Sequence, residues 1–183
     1  MPYYTGKGDT GQTQGLDGAR RPKADPLIET SGSFDEAQVA LGFAAVEAQS
    51  LARECVHASE ILVILQWMQR ALFQVAALTL DGVVKETDSA TLTQMMTRVK
   101  GWCMRFEPEV KRGSFYLPGG SELAARIELA RVALRRCERN LCAISEDTVG
   151  VVDALPLLNR LSALTYALAR YANQILNVSE EEV

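Results

Sequence analysis

The sequence predicts an all-α protein, an up-and-down antiparallel five-helix bundle behind an extended N-terminal loop. Three observations carry that prediction. Apolar residues recur at four-three spacing over long stretches of the second half. No alternating apolar and polar run stands out as a strand, and no internal repeat is visible. Glycine and proline gather in a few places and leave long uninterrupted segments between them. With 183 residues the chain can build one well-cored domain. We therefore read 1–183 as a single domain, with a loop over 1–33 and the bundle over 34–178.

Residues 1–33 are rich in Gly, Thr, Pro and Asp and show little periodicity. Ser33 is the expected N-cap of the first helix, with Glu36 in the capping-box position. That helix is predicted over 34–54, with Val39, Phe43 and Val46 at helical spacing. The second, over 58–80, is apolar nearly all round and is expected at the centre; Asp81-Gly82 breaks it. The third runs over 88–106 with Leu92, Met95, Met96 and Val99. Phe115-Tyr116-Leu117-Pro118-Gly119-Gly120-Ser121 reads as a loop, and Ser121 can cap the fourth helix over 122–145. There Leu123, Ile127, Ala130, Leu134, Cys137 and Leu141 form a seam. The fifth helix, over 152–177, repeats it with Leu157, Leu161, Leu164, Leu168, Ala172 and Ile175. Two such seams fit antiparallel packing.

Composition narrows the function classes. A formal charge of −4 argues against a general nucleic-acid binder, which carries a basic stripe. Basic residues are instead concentrated locally, in Arg20-Arg21-Pro22-Lys23 and between Arg131 and Arg139. The most apolar run, Ile61 to Leu80, contains Gln66, Gln69, Arg70 and Gln74, which suits a core helix better than a membrane span. No signal peptide is read at the start, so the expected location is cytoplasmic. Cys55, Cys103, Cys137 and Cys142 contain no CxxC pair and are expected reduced and buried. His57 is the only histidine, so a His-based metal cage within one chain is not expected.

Three separated patches share one chemistry. They are Tyr4-Thr5-Gly6-Lys7-Gly8-Asp9-Thr10-Gly11-Gln12-Thr13, then Arg135-Arg136-Cys137-Glu138-Arg139, then Leu158-Asn159-Arg160-Leu161-Ser162. Glycines let backbone N–H groups approach phosphates, hydroxyls donate, and Arg and Lys neutralise. Together they point to a nucleotide site. Each patch has a plainer reading. The loop is not a Walker A motif and could be a flexible terminus, with Asp9 capping a turn or touching Mg²⁺. Arg131, Arg135, Glu138 and Arg139 share one sector beside the seam and could be a salt-bridged face, Glu138 pairing Arg135 or Arg131. Asn159, which shares a face with Ala163, Tyr166 and Arg170, could be a cap.

The motifs in combination resemble the trimeric, five-helix ATP:cob(I)alamin adenosyltransferases. The likeness is collinear over nearly the whole chain. It takes in the Thr5–Thr13 loop, Arg20-Arg21-Pro22-Lys23, Gly32 with Asp35-Glu36, and Leu41-Gly42. It continues through Phe115-x-Leu-Pro-Gly-Gly-Ser121, Ala130-Arg131, the Arg135–Arg139 run and Leu158–Ser162. The resemblance implies a bundle with a ferritin-like up-and-down core, assembled as a homotrimer with sites between subunits. It implies that Thr5, Gly6, Lys7, Gly8, Thr13, Gln14 and Lys23 surround the ATP triphosphate. Arg135, Arg136, Glu138, Arg139 and Asn159 would hold the nucleotide from a neighbouring subunit, with Arg135, Glu138 and Arg139 acting in catalysis. Phe115 would lie against the corrin and help exclude an axial ligand from cobalt. Asp35 would pair with an arginine across the interface. ATP, Mg²⁺ and cobalamin are the implied ligands, and a corrinoid reductase or a cobalamin-dependent enzyme the implied further partner.

The implied reaction is attack by Co(I) on C5′ of ATP with triphosphate leaving, so no catalytic base is required and the protein supplies position and charge. Two departures stand out. Where the family usually reads Lys-Thr-Gly-Asp-Lys-Gly, this chain has Gly6-Lys7-Gly8-Asp9-Thr10-Gly11. Where an Asp usually follows Asn-Arg-Leu-Ser, it has Ala163. They motivate the rival reading, a non-catalytic bundle that holds ATP or adenosylcobalamin as carrier or sensor. A di-metal carboxylate bundle needs two Glu-x-x-His pairs, and only Glu54 and His57 have that spacing. An adaptor bundle with no ligand is the remaining alternative.

Overall fold

The computed structural model describes residues 5–80, 86–107, 114–144 and 151–183. Tyr4 and the Asp81-Gly82 break expected from the sequence lie outside them. The elements in chain order are β1 (Gln12–Gln14), β2 (Arg20–Pro22), α1 (Pro26–Leu51), α2 (Val56–Leu80), α3 (Glu86–Phe106), α4 (Glu122–Ala143) and α5 (Val151–Ile175). The molecule is an all-α helical bundle, as the periodicity predicts.

The first helix begins a full two turns earlier than expected. Asp25, not Ser33, is its N-cap: the carboxylate accepts from the Leu27 N–H at 2.9 Å, and Pro26 occupies the first turn with its φ already set. Ser33 is buried inside α1 and donates its hydroxyl to the Thr30 carbonyl at 2.7 Å. Glu36 closes no capping box and pairs instead with Arg136 of α4 at 2.9 Å. The loop therefore ends near residue 25, and residues 26–33 belong to the bundle. Its described part is more regular than expected. β1 and β2 pair antiparallel, with Thr13 opposite Arg21 and Gln14 opposite Arg20.

The centre is α4 and α5. Leu123, Ile127, Ala130, Leu134, Cys137 and Leu141 are fully buried, as are Leu157, Leu161, Leu164, Leu168 and Ala172, while Ile175 is half-buried. The two seams meet along their length, α1 packs on the other side of α4, and α3 packs on α5. The expectation that α2 lies at the centre is not met. It packs mainly on α1 and buries one face, Ile61, Ile64, Leu65, Met68, Leu72 and Val75, leaving Val56, Val63 and Phe73 exposed. An all-round apolar composition does not by itself say which face a neighbour covers. By length and composition alone α2 could cross a membrane. On the outer side Trp67 of α2 and Trp102 of α3 meet edge-on at 4.9 Å, and Arg98 lies 5.8 and 5.7 Å from their rings.

Before α4 the chain forms a loop braced by the C-terminal tail. The Val183 N–H donates to the Phe115 carbonyl and the Leu117 N–H to the Glu181 carbonyl, at 2.9 and 3.0 Å. Ser121 caps α4 by accepting from the Ala124 N–H. Asn173 of α5 organises this corner. Its Oδ1 accepts from both the Ser121 N–H and hydroxyl, and its Nδ2 donates to the Gly119 carbonyl and to Glu180. Gly120 sits at φ 90°, and a Cβ there would lie 2.6 Å from the Asn173 amide. Gly120→Ala is therefore expected to cost about 1–3 kcal/mol of stability, read as a lowered denaturation midpoint. An unchanged midpoint would show that the corner is not under this constraint.

Candidate functional site

The glycine loop folds so that its cations converge. Gly6 and Gly11 adopt φ 68° and 76°, which turns the chain between Thr5 and Thr13. A Cβ on Gly8 would lie 3.5 Å from Lys23 Nζ, so the ammonium of Lys23 rests against the bare loop backbone. The Lys23 N–H donates to the Gly11 carbonyl at 2.9 Å, and Arg20 reaches across to donate to the Lys7 carbonyl at 3.0 Å. Arg21 turns the other way and pairs with Asp17, whose carboxyl its guanidinium holds below the usual carboxylate range. Gln14 donates to the Gly18 carbonyl, and Thr13 is half-buried beside it in β1. Thr5 is exposed. Arg20 and Lys23 thus border an open backbone cradle with Lys7 exposed on the same loop, an arrangement that suits a phosphate chain. Arg20 was not singled out as a ligand in the sequence; only the β1–β2 register brings it to the loop.

A second cationic group lies on the outer face of α1 and α4. Arg135, Arg136 and Arg139 rim a hollow of about 650 Å³ whose walls include Asp35, Val39, Phe43, Leu129 and Val132. The alternative in which Glu138 pairs with Arg135 or Arg131 does not form. Arg131 pairs with Glu128, Arg136 with Glu36, and Arg139 donates only to the Arg135 carbonyl at 3.1 Å. Among the described residues no carboxylate pairs with Arg135 or Arg139. Glu138 does not orient an arginine either; it accepts from Asn159 Nδ2 of α5 at 3.1 Å. Unpaired arginines beside an apolar wall are poised for an anion supplied from outside. Val39, Phe43 and Val46, which recur at helical spacing on α1, point outward, with Val39 67% exposed.

The third group surrounds Phe115, which is 76% exposed on its braced loop. Its neighbour Tyr116 lies 5.5 Å from the guanidinium carbon of Arg170, and Tyr166 lies 5.1 Å from it on α5. Arg170 is 2% exposed, and it pairs with Glu128 and Glu180 at 3.0 Å each. Glu128, also buried, holds Arg131 as well. Tyr166 then forms one wall of a hollow of about 320 Å³ between α3 and α5, shared with Lys100, Met104, Arg160, Ala163 and Ala167. Sequence spacing put Tyr166 and Arg170 on one face of α5; only packing shows that face joined to the Phe115 loop.

Within one chain these groups do not close into a single pocket. The β1–β2 hairpin packs on itself and makes no broad contact with a helix, while the Arg135–Arg139 face lies on α4. The cysteines divide differently from expectation, since only Cys137 is buried, Cys55 and Cys103 are intermediate, and Cys142 is exposed; none of the four is in a disulfide. Among the described residues no three His, Cys, Asp or Glu side chains gather as a metal site.

A bundle with a cationic glycine loop, an arginine face and an exposed aromatic loop suits a protein that binds an anionic nucleotide, and comparison with known proteins gives its class. The family profile described as cobalamin adenosyltransferase matches residues 3–172. A corrinoid adenosyltransferase of Mycobacterium leprae is 34% identical, covering 93% of this chain and 90% of its own length. One from Bacillus subtilis is 32% identical over 100% of this chain and 92% of its own. Among solved structures, a variant PduO-type ATP:corrinoid adenosyltransferase from Lactobacillus reuteri, complexed with cobalamin and ATP, superposes with a TM-score of 0.82 at 25% identity. It covers 100% of this chain and 99% of its own. The chain belongs to the cobalamin adenosyltransferase family, enzymes that move the adenosyl group of ATP onto a corrinoid.

Burial pushes the Cys137 thiol up to about 12, so it stays protonated across the working range. At pH 8 iodoacetamide is therefore expected to label Cys142 and spare Cys137, as read by peptide mass mapping of the native protein. Early labelling of Cys137 would show that α4 opens in solution.

Proposed function

We propose that the protein transfers the 5′-deoxyadenosyl group of ATP to cob(I)alamin at sites formed between the subunits of a homotrimer. The observation that carries this is the pair of unpaired arginines, Arg135 and Arg139, on a face whose apolar wall is exposed, in a chain whose phosphate cradle lies elsewhere. An apolar wall including Val39, Phe43, Leu129 and Val132 is a surface that a second copy would cover. In that arrangement the loop of one subunit brings Lys7, Lys23 and the Gly6–Gly8 backbone to the triphosphate. Arg135, Arg136 and Arg139 of its neighbour complete the site, and Asp35 at the rim pairs with an arginine of the adjoining copy.

The corrinoid supplies the nucleophile, so the protein has no bond to break on its own account. Co(I) donates its electron pair to C5′; the C5′–O bond breaks and its electrons leave on triphosphate. Negative charge builds on that leaving group, and pre-placed cations stabilise it more than the ground state. No cluster among the described residues could hold a divalent cation unaided, so Mg²⁺ would sit on phosphate oxygens within reach of Asp9, where it neutralises the leaving group. The Asn159–Glu138 pair fixes the ribose-facing end of α5. Phe115, presented on a loop pinned by Asn173 and the tail, offers an apolar face to the lower side of the corrin and keeps water and axial bases from cobalt, which favours Co(I). The four cysteines, none of them in a disulfide, fit a reducing cytoplasm, where a corrinoid reductase would supply the reduced substrate.

Arg139→Ala is expected to lower the rate of adenosylcobalamin formation about 10²–10³-fold while leaving the helical content unchanged. The assay follows the visible absorbance of chemically reduced cobalamin mixed with ATP. A wild-type rate would remove Arg139 from the site, and binding of both ligands by the native protein without product would establish the carrier reading. Separately, Val39→Glu places a charge in the exposed apolar wall. It is expected to yield a monomer by light scattering with activity lost; a trimer of normal activity would exclude this face as the interface.

A further inference from the structure

We propose that the hollow between α3 and α5 receives the nucleotide tail of the corrinoid, with Lys100 and Arg160 holding its phosphodiester. The inference rests on the reading above that Phe115 faces the lower side of the corrin. A cobalamin whose lower base is displaced from cobalt must place that base, its ribose and its single phosphodiester beside the ring. The Phe115 loop and the hollow meet the same buried guanidinium. Tyr116, next to Phe115, shares the Arg170 guanidinium with Tyr166, and Tyr166 lines the hollow. Met104, Ala163 and Ala167 supply the apolar part of its lining and Lys100 and Arg160 its cations, with Glu107 the one acid among the lining residues. The two helices approach closely here, with Cys103 Sγ 3.9 Å from the Arg160 carbonyl. The Arg160 charge is felt inside: it opposes the rise that burial imposes on the Cys103 thiol. Lys100 also borders an adjoining hollow of about 440 Å³ whose lining includes Leu92, Met96, Thr93, Thr97, Pro156 and the acid Asp153, with room for the released base.

Ala163 gives the hollow its sign. A carboxylate at this position would set a negative charge against a phosphodiester. With alanine the lining keeps two cations against one acid. The lining thus favours corrinoids with an anionic tail.

The test compares cobalamin with cobinamide, which has the same ring and no nucleotide tail. In Lys100→Ala/Arg160→Ala the KM for cobalamin is expected to rise roughly fivefold or more, while the KM values for cobinamide and ATP stay within error. Ala163→Asp should shift the same ratio in the same direction, which keeps the test alive if the double variant folds poorly. The wild-type KM for cobalamin should rise with salt more steeply than that for cobinamide. Equal shifts for the two corrinoids, no shift, or a shift confined to ATP would overturn the proposal. A wild-type protein inactive with both corrinoids would instead sink the transferase reading beneath it.

Discussion

The interlock of α4 with α5 is the constraint on which the rest depends. Small and branched residues alternate along both seams, Ala130 and Cys137 among leucines on one side, Ala154 and Ala172 on the other. Close-packed cores of this kind do not slide, because every displaced methylene leaves a void or a clash. Fixing the rotation of α4 about its axis fixes where Arg135, Glu138 and Arg139 emerge. Fixing α5 does the same for Asn159, Tyr166 and Arg170. The Asn159–Glu138 hydrogen bond then joins the two helices at the functional end.

Buried charge marks the other end of the same seam. Arg170, Glu128, Arg131 and Glu180 form a chain of ion pairs that runs from the outer face of α4, through the interior, to the tail that braces Phe115. Burying such groups is costly unless each is partnered, so a network of this type fixes geometry more than it adds stability. It gives the aromatic loop a rigid mounting while leaving its side chain bare.

Much of this was legible in the sequence, and the failures have physical reasons. The seams of α4 and α5 were readable because a half-buried helix repeats its apolar residues at a period that composition cannot mimic. The candidate site motifs stood out because glycine, hydroxyl and cation clusters have few other uses together. The start of α1 was misread because Ser33 and Glu36 imitate a capping box, while the real signal, Asp25 followed by Pro26, stood earlier in a stretch that looked like loop. The outward Val39, Phe43 and Val46 show that periodicity reports that a face is apolar, not what covers it. The same ambiguity misplaced α2. The pairing of β1 with β2 was missed because three-residue strands fall below any alternation test, and with it went the arrival of Arg20 beside Lys7.

The meeting of Trp67 and Trp102 has a practical side. They are the chain's only two indoles, and they share one edge-on contact under a single guanidinium, on the outer side of α2 and α3. Intrinsic emission from this protein is therefore a local gauge. It reads the separation of two peripheral helices and is blind to the cradle, the arginine face and the seam, so an optical melting curve would time the loosening of the rim, which need not coincide with collapse of the centre.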